Sequence, residues 1–239
     1  MPTLYTTIGP WTLQTFTLFV AVAVVASAVI GIYRSRLAQS GFQSFPRPGA
    51  AADVYLGALF GGVLLARLGH VLLSWDYFGN NLNEVFTIEL GGLNWHGAVL
   101  GAVIGLSLAA RLRRVDARTL LDAIMLALPL IGLAGWWGCL ASACGYGLEV
   151  PTLADYPPLV ASANPDIFGI VAPRFNTQVF GLLLSAVMLA LALLLLWRGW
   201  LRCRRFWLVL ALLSAGMFVI GFYRGDAVSI VAGLRLDQW

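Results

Sequence analysis

The sequence predicts an all-α, polytopic helical membrane protein with six transmembrane helices, and three observations predict it. Of 239 residues, 60% are hydrophobic and 11% charged, against about 45–50% apolar and about 25% charged in a soluble domain. A water-soluble fold would have too little polar surface. Asp, Glu, Lys and Arg are absent from 1–33, 90–110, 123–148, 175–197 and 206–223, and Arg67 alone interrupts a further run, 54–75. Each run meets or approaches the roughly 20 residues that a spanning helix needs. The third observation is how the arginines fall between the runs.

The spans are expected at about 13–33, 54–74, 93–110, 120–141, 176–197 and 206–223. All fifteen basic residues are Arg, giving a formal net charge of +4. One alternating set of connectors holds Arg34, Arg36, Arg47, Arg111, Arg113, Arg114, Arg118, Arg198, Arg202, Arg204 and Arg205. The other holds only Arg174, Arg224 and Arg235, with most of the acids. Arg collects in cytoplasmic loops, so the first set faces the cytosol and the amino terminus lies outside. That distribution accounts for the high pI without nucleic-acid binding.

The first span carries its arginines after it, the reverse of a cleavable signal, and is expected to be retained as a helix. In the second and third spans, Gly57 and Gly61, and Gly97, Gly101 and Gly105, recur every four residues. Such faces permit close helix packing. The connectors are 34–52, 74–92 and 142–175; the last is rich in Pro, Gly and small residues, and loops of that length are often functional or mobile. Residues 1–239 are expected to form a single membrane-embedded domain.

Several polar groups stand where a membrane disfavours them. Arg67 lies about 9 Å below the outer end of its span at 1.5 Å per residue, where burial costs about 2.5–3.5 kcal/mol. It either snorkels to the headgroups or forms an anion site for a lipid phosphate. His96 opens the third span beside Asn94, Trp95 and Gly97, with His70 at similar depth. Arg224 and Asp226 end the sixth span, and Asn176, Thr177 and Gln178 open the fifth. These groups converge on the outer leaflet level, the pattern of an embedded site opening outward; an ion path would need polar groups through the full depth.

Cys139 and Cys144 are five residues apart, which on a continuous helix exceeds the roughly 7 Å Cα limit for a disulfide. A bridge requires the helix to break near Gly145. Their spacing is not a recognised zinc pattern, and Cys203 lies among cytosolic arginines, where thiols stay reduced. H-E-x-x-H, Walker A and G-x-S-x-G motifs are absent. No cofactor or metal is expected.

Nearly end to end, the chain resembles the prolipoprotein diacylglyceryl transferases of the bacterial inner membrane. The resemblance runs through Ala66-Arg67-Leu68-Gly69-His70-Val71, Gly91-Gly92-Leu93-Asn94-Trp95-His96-Gly97, Leu121-Asp122-Ala123, and Leu128-Pro129-Leu130. It continues through Gly135-Trp136-Trp137-Gly138-Cys139, Tyr146-Gly147, Asn176-Thr177-Gln178 and Phe222-Tyr223-Arg224-Gly225-Asp226. It implies transfer of a diacylglyceryl group from phosphatidylglycerol to the thiol of a lipobox cysteine in the signal peptide of a prolipoprotein. On that reading His96 and Arg224 are catalytic, and Arg67, Asn94, Trp95, Gly97, Tyr146 and Gln178 bind substrate. The partners are phosphatidylglycerol, the lipobox signal peptide and membrane lipids. The chain departs from the family signature with Trp136 at an arginine, Cys139 and Ser142 at asparagines and Cys144 at a glutamate. It also has Met217 and Gly221 at a later arginine and glutamate, and Phe16 at a tyrosine. The family has a seventh helix, so residues 233–239 read as the run-in to a possible missing seventh. The alternative reading is a catalytically degenerate paralogue that binds lipid or a partner membrane protein. A small transporter suits the sequence less, because the inner halves of most spans lack polar residues.

Overall fold

The computed structural model describes residues 5–8, 11–38, 48–87 and 92–238. Arg47, Glu89, Gly91 and Trp239 lie outside the described residues. The helices follow the charge-free runs: α1 (Thr15–Ala38), α2 (Pro48–Leu73), a short α3 (Trp75–Phe78), α4 (Trp95–Leu112), α5 (Ala117–Ile124), α6 (Ala127–Ser142), α7 (Thr177–Arg198) and α8 (Arg205–Gly221). Five stretches, 15–33, 49–73, 95–112, 117–142 and 177–198, are long and apolar enough to cross a membrane. The sixth expected span is α8, an apolar helix of 17 residues, at the short end of the spanning range. The fold class is all-α and polytopic.

The fourth span is two helices, α5 and α6, where the sequence predicts one. Pro129 has no N–H and its ring crowds the carbonyl of Met125, four residues back. The chain answers with a tighter bond, Leu128 N donating to Met125 O at 3.3 Å.

Two compact units result. One comprises Ala26–Ile124 and Arg202–Arg204; the other comprises Met1–Val25, Met125–Leu201 and Arg205–Trp239. The first is built on α2 and α4, antiparallel and in close contact along the predicted glycine faces. A methyl group added at Gly61 would run into the carbonyl oxygen of Gly101, and one at Gly101 into that of Gly61. Gly57 and Gly105 repeat the relation one turn away, and Gly97 does so against Leu65. The glycines therefore set both the separation and the register of the pair. Between α4 and α5, Asp116 accepts from the main chain of Arg118 and Thr119 and from the Thr119 hydroxyl. It caps α5, and the Thr119 hydrogen bond leads the causes that hold its carboxyl below the usual range.

The second unit packs α6 against α7 and α7 against α8. The connector between α6 and α7, expected as a loop, is organised by an antiparallel hairpin of β3 (Ala161–Pro165) and β4 (Val171–Phe175). Asp166 shapes its turn by accepting from the main-chain N–H of Phe168 and Ile170, both at 2.9 Å. Two further antiparallel pairs are β1 (Tyr5–Ile8) with β2 (Trp11–Gln14) and β5 (Ile230–Val231) with β6 (Leu234–Arg235).

Candidate functional site

In the α2–α4 unit, Asn94 has extended backbone angles and its Oδ1 accepts from Gly97 N at 2.8 Å. This N-cap satisfies one orphan donor of α4. Asn94 N also donates to Ala66 O at 3.0 Å, tying the entry of α4 to α2. His96 sits in the first turn. Its side chain is exposed and makes no hydrogen bond among the described residues, while Trp95 is half-buried. Both ring nitrogens of His96, in the first turn of α4, are therefore without a partner among the described residues.

Arg67 is buried, 8% exposed. Its Nε donates to Val85 O at 2.7 Å, Nη2 to Glu84 O at 2.6 Å and Nη1 to Gly92 O at 3.2 Å. Neither sequence reading anticipates this arrangement. The guanidinium turns into the connector after α3 and ties it down through three main-chain oxygens. Phe78 lies under it at 5.1 Å and meets His70 edge-on at 5.7 Å. Gly92 closes the arrangement at φ +83°; a Cβ there would fall 2.5 Å from the His70 ring and 2.9 Å from Arg67 Nη1. A cavity of about 290 Å³ opens between Arg67, His70, Phe78, Glu84 and Gly92. On its rim Tyr77 donates to Glu84 Oε2 at 2.7 Å, and that hydrogen bond is the main reason its phenol titrates above the ordinary range.

In the α6–α8 unit, α6 stops at Ser142 because Ala143 takes the left-handed conformation, φ +57°. Gly145 is left-handed too, at φ +58°. The break lies two residues before the position at which the sequence requires one, and it brings the Cys139 and Cys144 Cα atoms to 4.5 Å in a disulfide. Gln178 Nε2 donates to Cys144 O at 3.1 Å and Thr177 Oγ1 to Gly145 O at 2.6 Å, so the first turn of α7 holds this turn. Tyr146 is buried with its ring 5.0 Å from the Arg174 guanidinium. Arg174 in turn pairs with Glu149 at 2.8 Å and Asp166 at 3.3 Å. Trp136 is buried over Gly181, its indole N–H without an acceptor among the described residues.

Arg224 is a quarter exposed and belongs to a ring of four charges. It pairs with Asp226 through Nε at 2.8 Å and with Asp237 through Nη1 at 3.0 Å. Arg235 pairs with the same two carboxylates at 3.3 and 3.0 Å. Burial pushes the Asp237 carboxyl up, but hydrogen bonding to Arg235 and the charges of Arg224 and Arg235 win and hold it below 3.8. Burial likewise opposes the Arg235 charge, and its bonds to Asp237 and Asp226 raise its pKa regardless. Sequence reasoning singled out Arg224 but neither Arg235 nor Asp237 as partners. The available signal was a repeated Arg-x-Asp, at 224–226 and 235–237. At position 221 the missing side chain leaves room for Gln238, which lies where a Cβ would stand, at 2.7–2.9 Å, and donates to Phe218 O at 2.9 Å. Among the described residues no cluster of three or more His, Cys, Asp or Glu could hold a metal ion.

The sequence pattern of the prolipoprotein diacylglyceryl transferase family matches residues 2–239. The chain belongs to that family. Among its relatives is the phosphatidylglycerol–prolipoprotein diacylglyceryl transferase of Clostridium novyi (strain NT), 28% identical over 191 residues, 78% of this chain and 72% of the relative. The enzyme of that name from Synechococcus elongatus is 28% identical over 235 residues, 97% of this chain and 76% of the relative. Enzyme 1 of that name from Streptomyces coelicolor is 28% identical over 241 residues, 97% of this chain and 66% of the relative. The prolipoprotein diacylglyceryl transferase family is thus represented here by a chain that spans about two thirds to three quarters of these relatives' lengths. His96 in one unit and Arg224 in the other both fall inside the matched residues.

Proposed function

We propose that this chain transfers the diacylglyceryl group of phosphatidylglycerol to the thiol of a lipobox cysteine in a prolipoprotein signal peptide. The family match over residues 2–239 carries the reading. The sulfur attacks the glycerol carbon that bears the phosphate, a C–S bond forms, the C–O bond breaks, and glycerol phosphate departs with the bonding pair. A thiol of pKa about 8.5 is mostly protonated at neutral pH, so a base accelerates attack. His96, exposed and without an internal hydrogen bond among the described residues, takes that proton. Arg224 stabilises the charge that grows on the leaving phosphate. Arg67, Asn94, Trp95 and Gly97 of the α2–α4 unit, and Tyr146 and Gln178 of the α6–α8 unit, bind substrate in this reading, with Trp95 at headgroup level. The domain works in the inner membrane of a bacterium, its amino terminus and site outside and its Arg-rich loops cytosolic, as the arginine asymmetry favours.

The test is an assay of purified protein with phosphatidylglycerol and a lipobox peptide, read by the mass of the thioether product. Wild type is expected to form it and His96→Ala to form at least about a hundredfold less. A wild type that forms none refutes the enzyme. One observation favours a second reading, a degenerate lipid- or partner-binding paralogue: both Arg67 and Arg224 are engaged by groups of the protein itself. On that reading His96→Ala leaves the biological phenotype intact.

A further inference from the structure

We propose that the Cys139–Cys144 disulfide is a positioning device for Arg224. The inference rests on the transferase reading for its catalytic consequence and on geometry for its structural one. The bridge closes the end of α6 across Ala143, an L-residue held at φ +57° where glycine is usual. With alanine rather than glycine at position 143, local preference would carry α6 on to Gly145, and on a helix continuous through Cys144 these two cysteines stand too far apart to be joined. The disulfide therefore selects the broken conformation over the extended one.

Beyond the break, residues 146–148 hold the segment that carries Arg224. Gly225 N donates to Tyr146 O and Leu148 N to Tyr223 O, each at 2.8 Å, and Gly147 and Arg224 form an antiparallel bridge. The Arg224 main chain is thus registered on residues 146–148, whose direction is set just upstream by the disulfide. A Cβ placed on Gly145 would lie 3.8 Å from Cys139 Sγ and 3.9 Å from Arg224 Nη2. Sulfur and guanidinium flank one glycine. Thr177 and Gln178 hold the same turn to α7 by hydrogen bonds, whereas the disulfide cross-links it back onto the last turn of α6. Extending α6 by one turn would remove the acceptor at Tyr146 and the donor at Leu148 together.

The experiment compares oxidised wild type, wild type reduced with dithiothreitol, and the Cys139→Ser/Cys144→Ser variant. Dithiothreitol gives two electrons and two protons to the bridge and becomes a cyclic disulfide, leaving two protein thiols. Hydrogen exchange at the Leu148 and Gly225 amides is expected to accelerate at least about tenfold on reduction, with the double variant already fast. In the transfer assay kcat is expected to fall at least about tenfold with KM for phosphatidylglycerol changed little, the signature of an interaction made in the transition state. Reduction in an Arg224→Ala background adds no further loss, whereas general destabilisation would slow both backgrounds alike. Unchanged exchange at Leu148 and Gly225 after complete reduction overturns the proposal, as does an equal fractional loss with and without Arg224. Absence of transfer from the oxidised wild type defeats the transferase reading, and the exchange measurement then decides the positioning role alone.

Discussion

Adding one methyl group to the α2–α4 contact should destabilise the protein, while the same change elsewhere on α2 should not. At Gly57 a Cβ would stand 2.7 Å from Ala109 Cβ and 2.9 Å from Gly105 O. Ordinary carbon–carbon contact is about 3.5–4.0 Å, so the helices must part by about 1 Å. Overpacking of this kind costs about 1–3 kcal/mol. Against it stands the gain from replacing a helical glycine by alanine, about 1 kcal/mol, leaving Gly57→Ala destabilised by about 0–2 kcal/mol. Gly101→Ala should reach the upper end, because its methyl meets backbone at Gly61 as well as Leu65 Cβ at 2.8 Å. Gly49, also on α2, has nothing within 4 Å of the added atom among the described residues, so Gly49→Ala should be neutral or stabilising. The assay is thermal unfolding of purified protein in detergent. At about 2–4 °C per kcal/mol for a chain of this size, Gly101→Ala is expected to melt about 4–8 °C below wild type. Because Gly57 and Gly105 share one contact, the double alanine variant should lose less than the sum of the singles. Equal melting of Gly49→Ala and Gly101→Ala would refute the close backbone contact.

Arg67→Lys should cost about 2–4 kcal/mol, since an ammonium cannot reach the Val85, Glu84 and Gly92 oxygens together; proteolysis within 76–92 should rise, and unchanged cleavage would contradict the tie. Asp237 has a depressed pKa, so its contribution is present above the ordinary value of 3.8 and is lost as pH falls through the lower folded value. Protection of the Leu236 amide from hydrogen exchange, taken relative to its intrinsic rate at each pH, should therefore fall on acidification below about pH 4, and Asp237→Asn should show that lower protection already at neutral pH.

The helices were legible because a bilayer forbids charge over a fixed length: α7 is expected at 176–197 and found at 177–198. The α2–α4 contact was legible because backbone approach needs glycine at a fixed period, whatever the rest of the sequence does. The division of span four was not, although Pro129 stood in view, since hydropathy does not register a missing N–H. The hairpin of β3 and β4 carries no clean alternation, and its order comes from Asp166 and Arg174 meeting across the turn. Arg67 was legible as an anomaly but not in its role. Its acceptors are main-chain oxygens 17 to 25 residues away in sequence, and main-chain oxygens leave no trace in composition.

The charge ring around Arg224 sharpens what catalysis would require of this chain. Two guanidinium groups and two carboxylates sum to zero, so the ring offers a phosphate no net attraction at long range. Its value would lie at short range. Charges fixed in advance on defined partners need no reorganisation as a leaving phosphate develops its own, and Asp226 and Asp237 hold Arg224 in one orientation through three of its nitrogen atoms. The same pairing opposes binding, since a ground-state phosphodiester must compete with two carboxylates for the donors. The arrangement therefore suits an arginine that acts on the transition state more than on the bound lipid. It favours a large loss of kcat over a large rise in KM when Arg224 is removed, the opposite of what a headgroup-binding arginine would give.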